Sequence, residues 1–130
     1  MPDGAFTLFK TFVHLEDGPG ASEVAVDDRF WEEIGGRADL QQGRLVTAFH
    51  WEEDWPNWER HPAGDEIVFV LWGRVDLVLE EGGGERVVPL PSGHACIVPR
   101  GVWHTARVPE PTNALAITRG AGTEHRPAAG

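Results

Sequence analysis

One stretch constrains the fold more than any other: Gly93 to His104, reading G-H-A-C-I-V-P-R-G-V-W-H. Ala95–Val98 is apolar and suited to a strand, Pro99-Arg100-Gly101 breaks it, and His104 stands at the head of the next β-rich run. Proline fixes one backbone angle and lacks an N–H, while glycine supplies turn conformations, so the segment predicts strand, tight turn and strand. The pattern begins at Gly43. Leu45–Trp51 alternates and is rich in Val, Thr, Phe and Trp, and Ile67–Leu79 is a long apolar run broken by Gly73. Residues 80–85 (E-E-G-G-G-E) read as a hairpin loop into Arg86–Leu90, because consecutive glycines permit the positive φ such turns require. Thr105–Val108 and Ala114–Arg119 supply further strands, and residues 5–15 one or two more. Many short strands at regular spacing predict an all-β sandwich or barrel.

Only one helix is expected, through Arg29-Phe30-Trp31-Glu32-Glu33-Ile34, with Asp27 or Asp28 as its cap and Gly35-Gly36 as its stop. The 130 residues suit a single domain, with a core of about 43–119, an N-terminal extension over 1–42 and a tail over 120–130 that is expected to be ordered only in part. The net charge of −10 argues against a nucleic-acid partner, which needs clustered Lys and Arg. No apolar stretch approaches the roughly 18 residues of a membrane span. The opening M-P-D-G-A has neither the basic nor the apolar region of a signal peptide, and the lone Cys96 fits a reducing cytoplasm. Cytoplasmic location is the expectation.

A set of metal-binding side chains is embedded in the strands. Glu59 and His61 are one residue apart, so on an extended strand they project from the same face. Glu66 heads an apolar run, sharing one face with Val68, Val70 and Trp72, and a carboxylate there is costly to bury unless it is paired or holds a metal. The turn before His104 aims that histidine inward from a neighbouring strand. Two imidazoles and one or two carboxylates suit Fe(II), Mn(II), Ni(II) or Zn(II), and the lack of thiolates argues against a cluster.

Two spacings carry a family likeness. His61, four residues, Glu66, six residues and Gly73 form the first; Gly93, five residues, Pro99, Gly101 and His104 form the second. In order and separated by a short gap, they resemble the paired signature motifs of the cupin superfamily. The resemblance spans about residues 43 to 119 and implies a double-stranded β-helix, or jelly-roll, barrel holding one divalent metal. By position, His61, Glu66 and His104 match three of that family's four ligands. Glu59 stands where the family usually has its first histidine, and Val108 where the second motif often ends in Asn. Glu59 is open to three roles: metal ligand, general base beside the metal, or surface strand residue.

Other residues complete the expectations. His50, on the strand leading to the first motif, is a candidate acid–base group or a hydrogen-bonded surface histidine. Among six tryptophans, Trp51, Trp55 and Trp58 crowd the approach to the first motif, while Trp72 and Trp103 neighbour the barrel wall and are the stronger pocket candidates. Ile67, Phe69 and Leu71 leave the second face of their strand apolar too, which predicts a homodimer. The function expected is metal-dependent chemistry on a small organic molecule, with oxygenases, isomerases, lyases and decarboxylases all allowed by the resemblance. A non-catalytic ligand-binding or sensory protein using the same cavity is the alternative.

Overall fold

The computed structural model describes residues 4–128. Among these residues, eleven strands form two antiparallel sheets. They are β1 (Thr11–Leu15), β2 (Ala21–Ala25), β3 (Arg44–Trp51), β4 (Asn57–Arg60), β5 (Glu66–Trp72), β6 (Arg74–Glu81), β7 (Gly84–Pro91), β8 (Ala95–Val98), β9 (His104–Arg107), β10 (Thr112–Thr118) and β11 (Glu124–Pro127). One sheet runs β2-β1-β3-β10-β5-β8 and the other β11-β4-β9-β6-β7. The expected all-β jelly roll is the fold observed.

Alternation places the core. Along β5, Glu66, Val68 and Val70 are buried while Ile67 and Leu71 are exposed, the period of two that puts successive side chains on opposite faces. Val68, Val70 and Val98 from one sheet meet Val75, Leu77, Leu79, Leu90 and Ala106 from the other. Fully burying one such Val or Leu contributes about 1.5–3 kcal/mol. A second cluster of Phe12, Val24, Phe30, Leu40 and Leu45 seats the N-terminal helix on the six-stranded sheet.

The helix, α1 (Phe30–Glu33), is shorter than expected and tightens at once into a 3-10 turn through Gly36. Its N-cap is Arg29, with no side-chain cap bond, rather than the expected Asp27 or Asp28; Asp27 accepts from the Arg29 N–H at 3.0 Å. The β6–β7 hairpin is tighter than the expected loop. Pairing continues to Glu81 opposite Gly84, which leaves Gly82 and Gly83 as a two-residue turn with φ of 61° and 81°.

Within the tail, Glu124–Pro127 form β11, which pairs with β4 from Glu124 opposite Arg60 to Pro127 opposite Asn57. One further expectation needs correction. Trp72 does not share the inner face with Glu66. The β5–β10 register shifts between Asn113 and Ala114, and this irregularity just before Gly73 leaves Trp72 59% exposed.

Candidate metal centre

The two motif loops are stitched together by the backbone. The Gly101 N–H donates to the His61 carbonyl at 3.1 Å, and the Arg100 N–H donates to Asp65 Oδ1 at 2.8 Å. Gly101 has φ of 77°, a conformation that favours glycine. Glu59 on β4 lies directly opposite His104 on β9. His61 follows the end of β4, and Glu66 opens β5 after a short turn.

The four side chains converge. Glu59, His61 and His104 each offer a donor atom, all within 4.8 Å of one another. Glu66 reaches both imidazoles, with Oε2 at 3.2 Å from His61 Nε2 and Oε1 at 3.0 Å from His104 Nε2. Glu59 Oε2 lies 3.5 Å from His61 Nε2. His104, His61 and Glu66 are 0%, 5% and 5% exposed. Despite those distances, His61 Nε2, His104 Nε2 and Glu66 Oε1 have no partner in hydrogen-bond geometry.

Neighbours decide which atoms face inward. The Thr123 hydroxyl donates to the Gly120 carbonyl at 2.8 Å, so it accepts from the His61 Nδ1–H, also at 2.8 Å. His104 Nδ1–H donates to the Val102 carbonyl at 3.0 Å. Both imidazoles are thereby held in the tautomer that turns an Nε2 lone pair toward the centre. Thr118 donates its hydroxyl hydrogen to Glu66 Oε2. Two imidazole lone pairs and a carboxylate, buried and in contact, repel unless a proton or a metal ion sits among them.

The proton affinities follow. Burial alone would raise the Glu66 carboxyl, but His104 and His61 outweigh it and bring it to about 2. Burial would lower His104, yet Glu66 raises it above its ordinary value. Glu59 is raised, first by burial and then by the Glu66 charge.

A cavity of about 1220 Å³ opens over this centre, lined by Glu59, His61 and Glu66 at its floor. One wall is a chain of aromatic contacts. Trp31 stacks on Phe49 at 5.9 Å, Phe49 on Trp51 at 5.7 Å, Trp51 meets Trp55 edge-on at 5.2 Å, and Trp55 meets His104 at 5.9 Å.

Of the tryptophans singled out from sequence, Trp51 and Trp55 line the cavity; Trp58, Trp72 and Trp103 do not. Trp103 instead has the guanidinium groups of Arg60 and Arg126 over its ring, at 4.9 and 4.5 Å. His50 sits at the rim, its Nδ1 bonded to Asn113 Oδ1 at 2.7 Å and its Nε2 3.7 Å from Glu52. It lines the cavity but is not part of the converging Glu59, His61 and His104 trio. Sequence reasoning missed Thr118, Thr123 and the part played by β11. Besides Thr123, that segment brings His125 to 3.8 Å from Glu59 Oε1.

The match to known families agrees with this geometry. Residues 37–118 match the Cupin domain model, and the chain belongs to the cupin family. No curated protein matches it in sequence. Similar solved structures include a cupin-2 domain containing protein from Shewanella frigidimarina, at 20% identity and a TM-score of 0.50 over 57% of this chain and 68% of that one. A protein with a double-stranded β-helix domain from Klebsiella pneumoniae is 24% identical, with a TM-score of 0.53 over 63% of this chain and 73% of that one. Oxalate decarboxylase from Bacillus subtilis is 16% identical, with a TM-score of 0.53 over 65% of this chain but 24% of its own. At these identities the likeness is one of fold. The family match includes Glu59, His61, Glu66 and His104 and ends before Thr123 and His125.

Proposed function

We propose that this cupin is a metal-dependent enzyme acting on a small organic molecule, with one divalent ion held by Glu59, His61, Glu66 and His104. The observation that carries this reading is the set of buried, unpartnered atoms His61 Nε2, His104 Nε2 and Glu66 Oε1. Nitrogen and oxygen donors without a thiolate suit Fe(II), Mn(II), Ni(II) or Zn(II). Such an ion, when bound, supplies Lewis acidity and, if redox-active, electron transfer.

The chain's own residues have distinct tasks. Thr123 and the Val102 carbonyl orient the two imidazoles, and Thr118 orients Glu66. The aromatic wall excludes water from one side of the cavity and offers flat apolar surface to a substrate. Glu59 is the most accessible of the four and faces the cavity, so a proton reaching the centre meets its carboxylate first. An oxygenase, isomerase or lyase reaction is compatible with this set. We also propose a cytoplasmic homodimer.

Elemental analysis and calorimetric titration of wild type, His61→Ala and His104→Ala test the reading. Wild type is expected to bind one equivalent of metal and both variants to lose most of it. Unchanged metal content in both variants would overturn it.

A further inference from the structure

The permanently charged groups lining the cavity are all of one sign; its histidines include His50, 3.7 Å from Glu52, and His125, 3.8 Å from Glu59. Glu32, Glu52, Glu53, Asp54, Glu59 and Glu66 contribute to its lining, and no lysine or arginine does among the described residues. Glu32 has Arg29 nearby at 3.7 Å; the other five have no lysine or arginine within ion-pair distance among the described residues. The arginines of β4 and β11 are engaged elsewhere. Arg60 bonds Glu124 at 2.8 Å and Arg126 pairs with Glu80, both beside Trp103.

The centre itself does not offset this charge. A divalent ion on two imidazoles and two carboxylates is electrically neutral, because Glu59 and Glu66 together cancel its charge. A carboxylate substrate entering this site would therefore meet no net positive charge at the floor and several negative charges at the mouth. Inside a partly dry cleft such repulsion is felt more strongly than in water. A cation meets the opposite field, and the aromatic faces of Trp31, Phe49, Trp51 and Trp55 attract it further through their ring quadrupoles.

We propose that the cavity takes an organic amine in its ammonium form, with an apolar body lying along the aromatic wall, and discriminates against carboxylates. This rests on the metal reading for the neutrality of the floor; the acidic mouth is independent of it. Benzylamine, benzyl alcohol and benzoate share one body and differ in charge, so they serve as probes at neutral pH and low salt. Binding is followed by quenching of tryptophan fluorescence and by calorimetry, on metal-loaded and on chelated protein.

Benzylamine is expected to bind about tenfold or more tighter than benzoate, with benzyl alcohol between them. The exposed double variant Glu52→Gln/Glu53→Gln is expected to narrow that ratio. Glu59→His adds one positive charge to the loaded floor and is expected to tighten benzoate by about tenfold. Benzoate binding as tightly as benzylamine, or no detectable benzylamine binding, overturns the proposal. If metal is retained and benzoate wins, the substrate inference fails and the metal reading stands. If no metal is retained yet benzylamine still wins on the chelated chain, the metal reading fails and the amine preference stands.

Discussion

Glu59 stands where the motif resemblance leads one to expect a histidine ligand, and its place in the structure makes that substitution testable. Its carboxylate is 3.5 Å from His61 Nε2 and in the same trio as His104. As a ligand, Glu59→His is expected to keep metal binding, whereas Glu59→Ala is expected to weaken it by an order of magnitude or more, measured by titration calorimetry. An Ala variant with wild-type affinity would refute that role. The pH dependence of the chelated protein belongs to the same residues. Glu66 is depressed from 4.5 to about 2, so it stabilises the fold above pH 4.5 and loses this contribution as pH falls toward 2. His104 is raised above 6.5; its contribution is complete below 6.5 and disappears as pH rises through the raised value. These are one ion pair seen from its two ends and count once. Glu59 is raised above 4.5, so its ionisation costs stability as pH climbs past that point. The melting temperature of chelated protein is expected to peak between about pH 4.5 and 6.5. A melting temperature that rises steadily from neutral into alkaline solution would contradict this.

At the scale of elements, the core barrel was legible from sequence, but the strand that completes the site was not. Glu59 and His61 declare a shared face because they are two positions apart, and Pro99 and Gly101 mark the turn before His104 in plain view. The partners of His61 and Glu66 give no such local signal, since Thr123 and Thr118 lie 62 and 52 residues away along the chain. The E-H-R-P of β11 lacks the apolar alternation that announces a strand. It is held instead by tertiary contacts: Arg126 lies over Trp58 and Trp103, and Glu124 bonds Arg60. Trp72 misled for the opposite reason, because its sequence pattern is that of an inner-face residue and the register shift with β10 is a long-range event. Removing the chain after Gly120 is expected to lower metal affinity about 10–100-fold, and Thr123→Val to reproduce most of that loss with β11 still paired. Titration of both variants checks this; full affinity in both would remove the strand from the site. Gly73 marks another element boundary. At its φ of 103°, a Cβ would come within 2.5 Å of Thr112 Oγ1 and 2.6 Å of the Pro111 carbonyl. Gly73→Ala is therefore expected to cost about 1–3 kcal/mol or more in denaturant unfolding.

For the whole molecule, the outer side of the six-stranded sheet is the feature that asks for a second copy. Strand register sets Val13 beside Val46, Val46 beside Ile117, Ile117 beside Ile67, and Ile67 beside Ile97. A parallel row runs through Leu115, Phe69 and Ala95 and ends at the buried Ala48. The apolar surface thus crosses β1, β3, β10, β5 and β8 without a charged residue in either row. Ile67, Leu71 and Ile97 are 38%, 44% and 64% exposed. Flat, apolar sheet surface left in water is an association site, and a two-fold pairing of identical faces is the simplest closed way to cover it. The inner face of the same strands is already committed to the core and the cavity, so association through this surface leaves the metal centre open. Light scattering at micromolar concentration is expected to give the mass of a dimer. Ile97→Lys places a charge in the exposed part of the row, where it should change the stability of an isolated chain by no more than about 0.5 kcal/mol while shifting the mass toward the monomer. A monomeric wild type, or an Ile97→Lys variant that remains fully dimeric, would remove this face as the interface.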